Sequence, residues 1–341
     1  MADKSKGSGG DGGRQPEMDA TEGNMSTPMI ALQTTDDGSD ELWTAAEMED
    51  ATPCDILEID DDDLAEDDAP TETKDADGGT VVEGGAPDDD AEAAEEDTQA
   101  TSGGYNYPGP FTRYEVFTPY TQYPYRAIGK LFFKRGGRSY VCSASSIGNN
   151  AIYSAGHCLH AGNNSSSGWA TNVVFVPAYR DGQAPYGQWQ AKQLFVRTSW
   201  YKHGISKGLA QDMGAAVLHK KNGKKISQVV GWLGFAWNWS KYQHWCQYGY
   251  PAASPFNGRR LIANHSSFAY HGSVGANPKP LGVGSDLTGG SSGGPWVLKF
   301  GTANYVNGVN SYRRKSKPQE MYSPYFNNNA KSLFDTVRNL N

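Results

Sequence analysis

Four glycines surround two serines in Gly289-Gly290-Ser291-Ser292-Gly293-Gly294-Pro295, and Trp296-Val297-Leu298 follows at once. Glycine accepts positive φ and leaves space for another backbone, so the segment suits a tight turn that presents a hydroxyl. A flexible Gly/Ser linker is the plainer reading, but a linker does not usually end in an apolar strand. A serine hydroxyl is a weak nucleophile until a base takes its proton. Ser154-Ala155-Gly156-His157-Cys158 offers such a base, placed by a small-residue turn after the apolar Ala151-Ile152-Tyr153. A carboxylate that orients an imidazole and stabilises its cation would complete the set. The chain from 105 onward has four Asp. Asp181 sits in a turn signature, Arg180-Asp181-Gly182-Gln183. Asp335 falls on an expected terminal helix, and Asp286 is too near Ser292 to be an obvious His partner. Asp212 leads into the apolar Met213-Gly214-Ala215-Ala216-Val217-Leu218 and is the choice; a simple strand-start Asp is the alternative.

Chain order narrows the chemistry. Ser292 also satisfies G-x-S-x-G through Gly290 and Gly294, the elbow of α/β hydrolases, where the His follows the Ser. All seven His (157, 160, 203, 219, 244, 265, 271) precede Ser292, so that reading fails. The order His, Asp, Ser remains. No H-E-x-x-H and no CxxC is present, so no metal and no cofactor is expected. Cys142 lies sixteen positions before Cys158. A disulfide between them would pin the His-bearing turn to the preceding strand, worth about 3 kcal/mol for a loop of that length.

These residues need a scaffold, and the spacing predicts a β one. Short apolar runs recur at Ile128 to Phe133, Tyr140 to Ala144, Ala151 to Ser154, Val173 to Pro177, Ala215 to Leu218, His244 to Tyr250, Trp296 to Phe300 and Tyr305 to Val309. Gly-Gly, Asn-Asn and Asn-Gly breaks separate many of them, which argues a sandwich or barrel. Only Asn329 to Leu340 has clear helical spacing, with Ala330, Leu333, Phe334 and Val337 at i, i+3, i+4, i+7. Residues 105–126 are rich in Tyr and Pro and read as an extended lead-in. No run approaches the roughly 18 apolar residues of a membrane span.

Charge divides the chain. Residues 1–104 hold 32 acidic and 4 basic residues, a net of −28; residues 105–341 hold 6 and 26, a net of +20. The first part contains nine Leu, Ile, Val or Phe, too little apolar area to offset ordering entropy, so a disordered acidic arm is expected. One denser patch, Cys54-Asp55-Ile56-Leu57-Glu58-Ile59, could dock as a short strand or helix. The basic body is the obvious partner, since both are on one chain. The arm is a candidate pro-segment or solubilising tail. If it is an inhibitory lid held by charge, salt should raise the activity of the full chain.

Together, SAGHC, DMGAAVL and GGSSGGP resemble the motifs of trypsin/chymotrypsin-like serine peptidases, with the secreted microbial V8-like (glutamyl-endopeptidase-like) branch nearest. The resemblance covers roughly 125–341. It implies an all-β fold of two six-stranded antiparallel β-barrels with a C-terminal helix, and a peptidase domain over 127–341. The join should fall near Lys220 to Gly231. It implies His157 as general base, Asp212 as its orienting acid and Ser292 as nucleophile, with an acyl-enzyme. The N–H groups of Gly290 and Ser292 would form the oxyanion hole, and Cys142 and Cys158 match the family's disulfide. Ser291 stands where the family usually has Asp, so activation by a newly cut N-terminal amine is not available. Cys246 reads as a buried thiol, with pairing to Cys54 a weaker idea.

Specificity is less legible. By the family pattern, Asp286 lies at the base of the pocket for the residue before the scissile bond (P1) and selects Lys or Arg, although V8-like sequences carry a similar run. The pocket wall should include Asn310, Ser311, Tyr312 and Arg313, and by the resemblance Ser311 matches the family's serine behind the triad. Arg313 on a basic body favours acidic substrates, and the acidic reading is placed ahead of the basic one. The substrate is a polypeptide, and no specific nucleic acid, no membrane and a monomer are expected. A disulfide implies an oxidising, extracellular compartment, although no signal peptide is readable at the start. The alternative function is a catalytically weak scaffold that binds anionic polymers through the +20 surface.

Overall fold

The computed structural model describes residues 29–34, 42–60, 80–85, 107–272, 276 and 278–340. In chain order the arm contributes β1 (Met29–Gln33), α1 (Ala45–Asp50), β2 (Thr52–Pro53), β3 (Leu57–Ile59) and β4 (Thr80–Val82). The lead-in carries β5 (Thr112–Glu115). Next come β6 (Ile128–Arg135), β7 (Arg138–Gly148), β8 (Ala151–Ser154), α2 (Gly156–Leu159), β9 (Thr171–Pro177), β10 (Trp189–Arg197), α3 (Thr198–Lys207) and β11 (Gly214–Leu218). The join holds α4 (Ile226–Val230). The second half has β12 (Gly234–Trp237), β13 (His244–Gly249), β14 (Ile262–His271), β15 (Leu281–Gly284), β16 (Pro295–Leu298), β17 (Tyr305–Val309), β18 (Tyr312–Arg314), β19 (Lys317–Ser323) and α5 (Asn328–Asn339).

The expected all-β double barrel is what the chain forms. Strands β6, β7, β8, β11, β10 and β9 pair in that order, and β9 pairs back to β6, closing a six-stranded antiparallel barrel. Closure removes exposed sheet edges except where a long strand outruns its neighbour, as β7 outruns β8 at Tyr140–Val141 and β10 outruns β9 at Gln193–Arg197. The second sheet runs β18-β19-β15-β14-β13-β16-β17-β12. It curls on itself where Ser311 N–H donates to Tyr322 O and Val309 N–H to Ser323 Oγ. Alternating side chains fill the first barrel with Leu131, Ala144, Ile152, Phe175, Leu194 and Ala216, all buried. The terminal helix α5 buries Ala330, Leu333, Phe334 and Val337, the four residues its spacing marks.

Two expectations change. The sequence shows one helical pattern, but α3 is also present; it lacks a regular apolar stripe and is kinked at Gly204, where φ is 49°. The arm differs more. Disorder is expected over 1–104, yet its described segments are ordered and extend the body's sheets. Strand β1 adds to β10, β2 to β7, β3 to β18 and β4 to β12. Trp43, Met48, Cys54, Ile56 and Ile59 are all buried. Few apolar residues suffice because they are clustered, and because the body supplies sheet edges whose N–H and C=O groups await a partner. The rest of the arm lies outside the described residues.

Candidate active site

The three candidate residues come from different elements. His157 is on α2, a single turn after β8, and is only 3% exposed. The Cys142–Cys158 disulfide forms, tying that turn to β7. Arg135 Nη1 donates to His157 O at 2.8 Å and holds the turn from β6. Asp212 precedes β11 and is wholly buried. Its Oδ2 lies 2.8 Å from His157 Nδ1, and its Oδ1 accepts from the His157 backbone N–H at 2.7 Å. Ser311 Oγ donates to Asp212 Oδ2 at 2.6 Å, reaching across from the second barrel. The carboxylate is thus held by three donors, which is what a buried charge requires.

Ser292 sits in a loop braced from both barrels. Ser143 N–H donates to Ser292 O at 2.8 Å, and Ser143 Oγ to Gly290 O at 2.9 Å. Asn310 Nδ2 donates to Ser291 O and Tyr248 O, each at 3.0 Å. Gly290 has φ +91°, and a Cβ there would stand 2.7 Å from Tyr250 O. Gly293 has φ +77°, and a Cβ there would collide with Ser154 Oγ. The glycine-rich run is therefore a tight turn that L side chains would break. Ser292 Oγ and His157 Nε2 are both buried and have no hydrogen-bond partner among the described residues.

The Gly290 N–H, one of the two expected oxyanion donors, donates to Cys54 O of the arm at 2.8 Å. Residues expected in the pocket are otherwise engaged. Asp286 accepts from Arg113 Nη1 at 2.7 Å and Asn264 Nδ2 at 3.1 Å. Asn310 is a buried brace under the nucleophile loop, with its Oδ1 accepting from Trp296 Nε1. Tyr312 is buried and stacked on Tyr322 with centroids 4.8 Å apart. Arg313 donates through Nε and Nη2 to Glu58 Oε1 of the arm at 3.0 and 2.6 Å.

Sequence reasoning missed Ser143, Arg113, Arg135 and Asn264; no local pattern marks them, because each meets its partner from a distant strand. Cys54 and Cys246 are not paired with one another. Burial raises the Cys54 thiol to about 11 and the Cys246 thiol to about 12. The sulfurs of Cys54 and Cys142 and a ring nitrogen of His157 lie within 4.8 Å of one another. The Cys142 sulfur is bonded to Cys158, so the trio offers no ordinary metal site.

A closed barrel, a second curled sheet and a buried His–Asp pair beside a glycine-braced serine define the class of chymotrypsin-fold peptidases. Solved structures agree. The chain is 39% identical to the protease Anisep from Arthrobacter nicotinovorans, over 62% of this chain and 95% of that one, with a TM-score of 0.57. It is 36% identical to AL20, a thermostable serine protease from an extremophilic microorganism, over 63% and 98%, with a TM-score of 0.58. A Glu endopeptidase shares the fold at 17% identity and a TM-score of 0.53. No protein-family model and no curated protein matches the chain. The chain belongs to the trypsin/chymotrypsin-like serine peptidases.

Proposed function

We propose that the protein is a serine endopeptidase working through His157, Asp212 and Ser292. The observation that carries this reading is the buried His157–Asp212 pair at 2.8 Å, with Ser311 as second donor to the same oxygen. An imidazole so oriented takes a proton at its other nitrogen. His157 then removes the Ser292 proton, and Ser292 Oγ attacks the scissile carbonyl. The developing oxyanion meets the N–H groups of Gly290 and Ser292. Protonated His157 gives its proton to the leaving amine. The acyl-enzyme is hydrolysed by water activated at the same nitrogen.

For the P1 residue, the acidic reading gains support over the basic one. Asp286 is already matched by Arg113, whereas Arg313 holds a carboxylate. The disulfide supports an oxidising, extracellular setting. The anionic-polymer scaffold is not supported, since several basic side chains of the body already hold carboxylates of the arm.

A fluorophosphonate probe with mass-spectrometric mapping tests the reading, applied after the arm has been displaced. Labelling at Ser292, lost in Ser292→Ala, is the expected result. A peptide library then ranks Glu and Asp against Lys and Arg. A folded chain with its arm displaced that takes no label at Ser292 would overturn the assignment.

A further inference from the structure

The arm crosses the candidate active site, and its direction carries information. Residues Thr52 and Pro53 pair in parallel with Tyr140 and Val141 of β7. Cys54 N–H donates to Val141 O, and Cys54 O accepts from the Gly290 N–H, each at 2.8 Å. Asp55 then passes over Gly289, where a Cβ would lie 3.2 Å from Asp55 Cα. Leu57, Glu58 and Ile59 pair in parallel with Tyr312, Arg313 and Arg314, next to Ser311. Lys315 N–H closes the run on Ile59 O at 3.0 Å. Ile56 and Ile59 are each 2% exposed, and Ile56 belongs to an apolar cluster of the second barrel that includes Leu287, Val283 and Met321. Eight residues thus span from the first barrel to the second, crossing the nucleophile loop at Gly289 and Gly290.

In a productive complex, the carbonyl under attack meets the oxyanion donors, and its leaving nitrogen faces the histidine that protonates it. Here the carbonyl that meets Gly290 belongs to Cys54. Its amine-side neighbours, residues 55 to 59, run away along Gly289 and the second barrel. The side bearing His157 receives the opposite half: Thr52 and Pro53 on β7, and the Cys54 sulfur within 4.8 Å of a His157 ring nitrogen. The chain lies backwards.

The geometry points to residues 52–59 as an inhibitory strap that occupies the cleft of its own peptidase in reverse polarity. This rests on the peptidase reading above and adds how the site is closed. The strap takes an oxyanion donor with a true peptide carbonyl and gains affinity by main-chain pairing, as in strand addition. It is not consumed, because the reversed run sets Thr52, Pro53 and the Cys54 sulfur, rather than the leaving-group half, on the side of His157. Glu58 on Arg313 and Asp60 on Lys315 hold its far end, so the same two cations are where an acidic residue of a substrate would bind once the strap leaves.

The test compares probe labelling at Ser292 in three full-length chains. The wild-type chain should label slowly. Ile56→Asp combined with Ile59→Asp puts charge where the strap is buried and should speed labelling at least about 100-fold. Glu58→Arg leaves every buried contact in place, so its folding is not at issue, and it should speed labelling about threefold. The wild-type chain, incubated with the fast-labelling variant, should show no cut at Cys54–Asp55. Equal labelling in all three chains overturns the strap. A cut at Cys54–Asp55 overturns its reversed polarity. No labelling at Ser292 in any of the three, with Glu58→Arg folded, overturns the peptidase reading itself and the strap with it.

Discussion

Lys130 shows how a single side chain can report on the body's packing. It is 4% exposed on β6, donates to Gly258 O at 3.0 Å and lies over the rings of Phe132 and Tyr179. Burial, with Arg259 adding repulsion, lowers its pKa from 10.5 to about 7. The unfolded chain therefore keeps a proton that the folded one releases between about pH 7 and 10.5. Stability from this group rises with pH across that window. Lys130→Met should flatten the rise, with its advantage over wild type greatest below pH 7 and vanishing near pH 10.5. Denaturant midpoints at several pH values measure it, and parallel curves for the two proteins would refute the assignment. At this scale the sequence marked the candidates His157, Asp212 and Ser292 by their small or apolar neighbours, and the first two hydrogen-bond to one another. It was silent on Arg113, which meets Asp286 from 173 positions away. A partner at that distance leaves no local pattern.

Among the elements, the short helix α2 depends most on a covalent tie. It has one turn, no side-chain cap and a buried histidine. The Cys142–Cys158 bridge and the Arg135 contact hold it to the first barrel. Replacing both cysteines by serine should cost about 3 kcal/mol and lower Tm. Labelling at Ser292 should fall further than stability alone predicts, because His157 would lose its fixed place. A double-serine chain with unchanged Tm would show that packing alone holds the turn. The strands β6 to β9, β11, β13, β16 and β17 were readable as short apolar runs between turn residues. Strands β10 and β14 were not: Trp189–Arg197 and Ile262–His271 carry buried Gln190, Asn264 and Ser266, which break the apolar pattern, and Asn264 and Ser266 are satisfied by Asp286, Ser285 and Gln247 from other parts of the chain.

For the whole molecule the question is what joins a −28 arm to a +20 body. The ion pairs Glu47–Lys134, Glu49–Arg259 and Asp60–Lys315 have exposed side chains, and such pairs contribute little and are screened by salt. The buried arm residues Trp43, Met48, Ile56 and Ile59 contribute about 1.5–3 kcal/mol apiece. Four added strands supply backbone pairing as well. Charge brings the arm to the body, and burial keeps it there. Salt alone should therefore change labelling of the full chain by no more than about twofold. A tenfold rise in labelling on adding salt would mean that a charge-held lid, the reading suggested by composition, is the correct one.

The sequence by itself determined the catalytic candidates, their order and the β character of the body. Glycine tolerance, period-two alternation and chain order are local properties, readable within a few residues. It also marked Cys54 to Ile59 as the arm's one dense patch. Only the tertiary structure decided where that patch lies and which way it runs, because strand addition is chosen by the free edges of β7 and β18, which exist only once the barrels have formed. The same holds for the bond to Asp212 across 99 positions from Ser311, a residue that the family resemblance alone had marked, and for the engagement of Asp286 and Arg313. Contacts between barrels depend on how two closed sheets are set against each other, and no spacing along the chain encodes that.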